Sequence, residues 1–308
     1  MSRYFLFLCV NFVLLSTCQA QTAKIISQVK IDTEEETSLA GIDIFEITYW
    51  SDGLKIEAFA AMPKKEGKYP AIIFNRGGNR DFGALSLYGG NSTYPIIRGF
   101  APLAKEGYVV IGCNYRGGGK SEGEDEFGGK DINDVLNLIE VLAEMPKADA
   151  AKIGMYGWSR GGMMTYLALT KTDKIKAAAV GGAPSDKTII DRPNMETGVY
   201  AELIPNYWEN KEVELKKRSA VFWADKFPKE VPLLIMHGNA DWRVKSTHSL
   251  KLALELEQHR IPYRLKIFEG ADHGIRQYRP EVNEEVISWF NRFLKKGESL
   301  PNMAFHGN

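Results

Sequence analysis

An α/β architecture with a mostly parallel central sheet, helices on both faces and a small inserted cap is what this 308-residue sequence predicts. Three observations carry it. From Pro63 to Leu294 short apolar runs alternate with longer helical patterns, and such alternation implies parallel strands joined by helical crossovers. A two-stranded pattern with a tight-turn signal precedes the alternation. Residues 184–228, rich in Trp, Tyr, Lys and Glu, interrupt it and read as a small helical cap over the sheet edge.

In chain order, Ile44–Trp50 and Leu54–Ala60 read as a hairpin around Ser51-Asp52-Gly53. The expected parallel strands are Ala71–Phe74, Tyr108–Cys113, Lys152–Tyr156, Ala177–Val180, Pro232–Met236 and Tyr263–Phe268. Helices are expected at Ile132–Ala143, Gly161–Thr170, Thr247–Gln258 and Glu281–Leu294. A sheet of this kind receives ligands at the carboxyl ends of its strands.

Composition excludes several classes. Lys+Arg and Asp+Glu both number 39, so the chain is formally neutral and has no global basic field for nucleic acid. With 44% hydrophobic and 25% charged residues it is an ordinary globular composition, unlike that of a disordered chain. No repeat or heptad run occurs.

The N-terminus carries a separate signal. Arg3 and the apolar run Tyr4–Leu15 are too short to span a bilayer and have the flanks of a secretory leader, with cleavage expected after Ala20. A second reading makes Leu15-Ser16-Thr17-Cys18 a lipobox with Cys18 lipidated. Either way the protein is expected to be exported, periplasmic or secreted, with no membrane span after leader removal. The expected layout is a leader over 1–20, an extension over 21–41, a catalytic domain over 42–296 and a tail over 297–308. Cys113 is then the lone cysteine of the mature chain, so no internal disulfide framework is expected and Cys113 reads as an inert strand residue.

The chemistry concentrates in Gly157-Trp158-Ser159-Arg160-Gly161, which follows a strand and opens a helix. That is the context of a G-x-S-x-G nucleophile elbow, where a sharp turn exposes the serine hydroxyl above a helix N-terminus. A serine nucleophile needs a base, and the base needs an orienting carboxylate. Asp241 follows the Pro232–Met236 strand and His273 follows the Tyr263–Phe268 strand, giving the order Ser, acid, His at one sheet edge. Asp272 is adjacent to His273 in sequence, where side chains diverge, so Asp241 is the better partner. His237, His248, His259 and His306 read as structural. The oxyanion donors are expected to be the backbone N–H groups of Arg160 and Gly77; the competing reading makes Gly77-Gly78 a tight turn. Arg116-Gly-Gly-Gly119 lacks the Lys-Ser/Thr ending of a phosphate loop and reads as a flexible turn. No H-E-x-x-H or cysteine–histidine pair occurs, so neither metal nor cofactor is expected.

At these residues the chain resembles the catalytic domain of the prolyl oligopeptidase (S9) family of serine peptidases, on the α/β-hydrolase fold. The similar segments are Phe74–Asn79, Asn114–Gly118, Gly157–Gly162, His237–Val244 and Asp272–Gly274. The resemblance implies a triad of Ser159, Asp241 and His273, with Gly77 in place of the backbone donor of the family's His-Gly-Gly-Pro loop. Arg76 stands where that His stands, and Asn79 where the Pro stands. Family peptidases usually carry a gating β-propeller, which the short stretch between leader and hairpin cannot build.

The function expected is therefore serine hydrolysis through an acyl-enzyme, on a small peptide or ester substrate. The alternatives are a carboxylesterase of acetyl xylan or dienelactone type and, further off, an inactive binding protein. Arg76, Trp158, Trp208 and Trp223 are candidate substrate contacts. The aromatics Tyr200, Tyr207, Trp208, Phe222 and Trp223 serve either as a substrate cap or as packing for the insertion. The oligomeric state is not legible.

Overall fold

A computed structural model of the protein describes residues 23–33, 36–90 and 92–307. The expected leader, with Cys18 and the Ala20 cleavage site, lies outside the described residues.

Nine strands form the central sheet: β1 (Ile25–Ile31), β2 (Ile42–Ser51), β3 (Leu54–Pro63), β4 (Tyr69–Asn75), β5 (Val109–Cys113), β6 (Ala148–Trp158), β7 (Ile175–Gly181), β8 (Leu233–Gly238) and β9 (Tyr263–Phe268). Their spatial order is β1-β2-β3-β5-β4-β6-β7-β8-β9. The first three are antiparallel, β3 pairs antiparallel with β5, and the six strands from β5 to β9 run parallel. The β2–β3 turn places Asp52 at φ 51° and Gly53 at φ 79°, the two consecutive positive-φ positions of a type I′ hairpin turn.

Alternation along the strands divides the core into two layers. Ala71 and Ile73 of β4 face one layer, which also holds Val135, Leu138 and Leu142. These come from α1 (Ile132–Glu144), and α2 (Arg160–Leu169) and α4 (Thr247–Gln258) pack on the same side. Ile72 and Phe74 face the other layer, against the short helices Ile96–Gly99 and Ala101–Lys105 and against Val282, Val286 and Phe290 of α5 (Arg279–Phe290). Cys113 is buried at the end of β5, where burial pushes its thiol up to about 12.

Residues 184–228 are built from α3 (Tyr207–Lys217) and four short helical turns. Tyr207, Leu215 and Phe227 are buried in the same layer as α2, and the Phe227 ring meets Tyr166 of α2 edge-on at 5.8 Å. Part of the insertion's aromatic surface is thus used for packing, while Trp208 and Phe222 stay exposed.

Three details depart from the sequence expectation. Ile25–Ile31 adds an edge strand that its largely exposed side chains do not announce. The two short helices between β4 and β5 escape notice because they are brief and Pro102 stands at the start of the second. The last turn of the C-terminal helix widens to a π-helix over Asn291–Lys295.

Candidate active site

The carboxyl ends of β4, β6, β8 and β9 converge on one cleft. Ser159 sits directly between β6 and α2, with φ 56° and ψ −124°. A non-glycine residue at positive φ is strained, and the strain is held by close packing around it. A Cβ at Gly157 would lie 2.2 Å from the Gly161 carbonyl oxygen, and one at Gly161 would lie 1.8 Å from that of Asn75. Both glycines are therefore required by backbone-to-backbone contact, which pins the serine turn against the end of β4.

His273, after β9, lines the same cleft as Ser159. Its Nδ1 lies 2.6 Å from Asp241 Oδ2. Asp241 is held on three further sides. Its Oδ1 accepts the backbone N–H groups of Arg243 (2.8 Å) and Val244 (3.0 Å), and His237 Nε2 lies 3.3 Å from Oδ2. Burial alone would raise the carboxyl's pKa; the His237 and His273 hydrogen bonds and the Val244 amide more than offset it and hold it well below the ordinary range. Acceptance at Asp241 makes His273 Nδ1 the protonated nitrogen, leaving Nε2 as the basic one. Asp272 is turned away, accepting the amides of Gly274 and Arg276 instead. His237 is buried between Ser249 Oγ (2.6 Å) and the Val244 carbonyl (2.8 Å), the structural place expected of it.

The amides of Arg160 and Gly77 sit beside the serine. Arg160 is the first residue of α2, and a Cβ at Gly77 would lie 3.3 Å from that of Ser159. The Gly77 amide donates to no protein acceptor among the described residues. The Gly77 loop is braced from below by charges. The buried Arg160 guanidinium grips Asp125 with two bonds (2.6 and 2.7 Å), touches Asp131 Oδ2 (2.5 Å) and donates to the Gly78 carbonyl (3.0 Å). Asp125 in turn accepts the Arg80 amide (2.9 Å) and the Phe127 amide (2.8 Å).

The remaining sequence candidates divide. Arg76 does not face the cleft: it is fully buried, donating to the carbonyls of Gly77, Arg80 and Phe82 with its guanidinium 4.9 Å from the Tyr115 ring centre. Trp158 holds the His273 backbone in place, its Nε1–H donating to the His273 carbonyl (2.9 Å). Trp208 is exposed and Trp223 stacks on Phe227, so neither lines the cleft. Of the insertion's aromatics Tyr200 does. Arg116 is buried and ion-paired to Asp134 (2.7 Å) and Asp52 (2.8 Å), so the triple-glycine turn after β5 is anchored at its first residue.

Sequence reasoning missed Lys187, Asp191, Arg192, Arg243 and His248, all of which line the cleft. Four of them come from the insertion or a helix face, where no local pattern marks them. Only Arg243, two residues from Asp241, lies inside a recognisable run. His248 is reached by the amides of Ser185 and Asp186 at Nδ1, which makes its Nε2 the donor to Asp191 Oδ2 at 2.8 Å.

The sequence matches the prolyl oligopeptidase family (peptidase S9) over residues 98–297. It is 24% identical over 269 residues to the uncharacterized peptidase YtmA of Bacillus subtilis, covering 82% of this chain and 94% of that protein. It is 30% identical over 239 residues to dipeptidyl peptidase 8 of Homo sapiens, covering 74% of this chain but 25% of that one. The chain thus spans only part of the dipeptidyl peptidases it is similar to. Among solved structures, the acylaminoacyl peptidase of Pyrococcus horikoshii superposes with a TM-score of 0.71 at 27% identity, over 86% of this chain and 44% of that one. An acetyl xylan esterase from Paenibacillus sp. R4 shares the fold, with a TM-score of 0.63 at 16% identity, over 85% of this chain and 87% of that one.

Proposed function

This chain belongs to the prolyl oligopeptidase family, and from that premise we propose that it is a serine hydrolase cleaving peptide bonds through an acyl-enzyme on Ser159. The observation that carries the reading is the coincidence, in one cleft, of a strained serine turn with a histidine whose Nδ1 is committed to a buried carboxylate at 2.6 Å.

In this mechanism Ser159 Oγ attacks the substrate carbonyl while His273 Nε2 takes its proton. Asp241 fixes the imidazole tautomer and stabilises the imidazolium that forms. Negative charge developing on the carbonyl oxygen is met by the amides of Arg160 and Gly77, on a helix start and a loop that need no reorganisation. Collapse expels the leaving amine, which receives the proton from His273. Water then attacks the acyl-enzyme by the same steps and releases the acid and Ser159. We further read the basic start and apolar run at Tyr4–Leu15 as an export leader, placing the mature enzyme outside the cytoplasm.

The test compares kcat/KM on short peptide anilides, including proline at the cleaved position, with that on short-chain aryl esters. The control is Ser159→Ala, expected to lower turnover by several orders of magnitude while leaving unfolding unchanged. Anilide cleavage lost in the control supports the peptidase. Ester cleavage alone makes it a carboxylesterase on this scaffold, and full activity in Ser159→Ala refutes the nucleophile.

A further inference from the structure

Besides Arg160, three cations line the cleft beside Ser159: Lys187 and Arg192 from the insertion, and Arg243 from the Asp241 loop. None is ion-paired with a carboxylate among the described residues. Arg192 reaches the Met195 thioether (2.7 Å), and Arg243 lies over the Trp242 ring. The carboxylate lining the same cleft, Asp191, is already engaged by His248 Nε2, by the Lys245 amide (3.1 Å) and by Lys245 Nζ at 3.6 Å. Arg160, below them, is matched by Asp125 and Asp131.

Lys187 is the informative member. Charged lysines are rarely buried without a partner, because desolvation disfavours the ammonium. Here the side chain is buried, with Nζ 4.7 Å from the Tyr200 ring centre and 5.3 Å from that of Phe127. Its backbone N–H is tied to Ser219 Oγ at 2.7 Å. Burial and the nearby Arg192, Arg160 and Arg218, opposed by Asp191, push it down to about 7. Burial and Arg243 lower Arg192 in the same way, outweighing the opposing pull of Tyr200, Asp241 and Asp191. Arg192 thus lies between two like charges, Lys187 and Arg243, in a partly dry cleft, and an anion placed beside it would relieve that repulsion.

We propose that this cluster is a binding subsite for a carboxylate on the substrate, so that the enzyme selects anionic acyl or leaving groups over neutral and cationic ones. The guanidinium forks of Arg192 and Arg243 suit the planar, two-oxygen geometry of a carboxylate, and Lys187 supplies a point charge behind them. A substrate with a free amino group near the scissile bond would meet the same cations and be repelled. The inference rests on the hydrolase reading above.

The experiment compares kcat/KM for four esters: p-nitrophenyl butyrate, its glutarate half-ester, its 4-aminobutyrate counterpart and the butyrate ester of 4-hydroxybenzoate. The two anionic esters put the carboxylate on the acyl and on the leaving side respectively. One of them should exceed the neutral ester at least about tenfold, the worth of one charge-assisted contact, and thereby locate the subsite. The Arg192→Gln/Arg243→Gln double variant should reduce that anionic-to-neutral ratio by a similar factor. A preference for the neutral or cationic ester, or an unchanged ratio in the variant, overturns the proposal while leaving the hydrolase reading intact. Should no ester turn over, the anilide assay decides the hydrolase reading, and calorimetric titration of glutarate into Ser159→Ala decides the subsite alone. Binding lost on adding the double substitution supports it, and absence of binding overturns it.

Discussion

Replacing Asp125 by Asn isolates a device that no sequence motif marks: a buried charge cluster under the Gly77 loop, the proposed oxyanion loop. In the native protein the Asp125 carboxylate makes two bonds to the Arg160 guanidinium and accepts the amides of Arg80 and Phe127. Asparagine keeps the shape but removes the charge and turns one acceptor into a donor facing other donors. Breaking a buried pair by removing one partner costs about 3–5 kcal/mol, and the lower end applies because Asp131 still faces Arg160. At about 2–4 °C per kcal/mol for a domain of this size, the melting temperature should fall by about 6–12 °C. Catalysis should suffer separately, because Arg160 also holds the Gly78 carbonyl and Asp125 holds the Arg80 amide, on either side of the loop. Complete loss of an oxyanion donor costs about 100- to 1000-fold in kcat; displacing one should cost about 10- to 100-fold.

The effect also has a pH signature. Burial opposes ionisation of Asp125, but Arg160 and the two amides prevail and hold its carboxyl below the ordinary range. A lowered folded-state pKa contributes stability that is complete above the unfolded value of about 4 and is lost as pH falls through the folded one. The gap between native and Asp125→Asn melting curves should therefore be full at pH 6 and narrow below about pH 4. The assay is thermal unfolding by circular dichroism across that range, with kcat measured on one ester at pH 7. A melting shift under about 2 °C refutes the buried-pair account, and a large shift with unchanged kcat refutes the tether to the oxyanion loop.

Two further substitutions probe the same site. Asp241→Asn should leave the fold intact but disturb the His273 tautomer, lowering kcat by about four orders of magnitude; stopped assays on an activated ester will show it, and a loss below tenfold would point to another orienting acid. Gly161→Ala places a methyl 1.8 Å from the Asn75 carbonyl oxygen, so β4 and α2 must separate. We expect a loss of about 3 kcal/mol in urea unfolding together with at least tenfold lower kcat, and a variant that folds and turns over normally would refute the close-packing argument.

How far the sequence reaches is clear from individual residues. The alternation of apolar runs and amphipathic stretches places six parallel strands and four helices correctly, because both periodicities are local consequences of backbone geometry. Thr247–Gln258 and Tyr263–Phe268 keep their expected bounds. The Gly157–Gly161 turn is legible for the same reason: close backbone approach requires glycine, whatever the rest of the molecule does. The edge strand Ile25–Ile31 is not legible, since an exposed strand pairs through its backbone and leaves little apolar signature.

By itself, then, the sequence determined the sheet apart from its edge strand Ile25–Ile31, the serine turn and the residue order Ser159, Asp241, His273, all of which depend on local pattern and strand-end position. Only the tertiary structure decided what surrounds them. It removed Arg76, Trp208 and Trp223 from the cleft: Arg76 is buried, Trp223 stacks on Phe227 and Trp208 faces solvent. It seated Arg160 between Asp125 and Asp131, residues 35 and 29 positions away in sequence. It also gathered Lys187, Arg192 and Arg243 beside the serine. Charge neighbours have no period, so such clusters form only when distant segments fold onto one another and share a low-dielectric space.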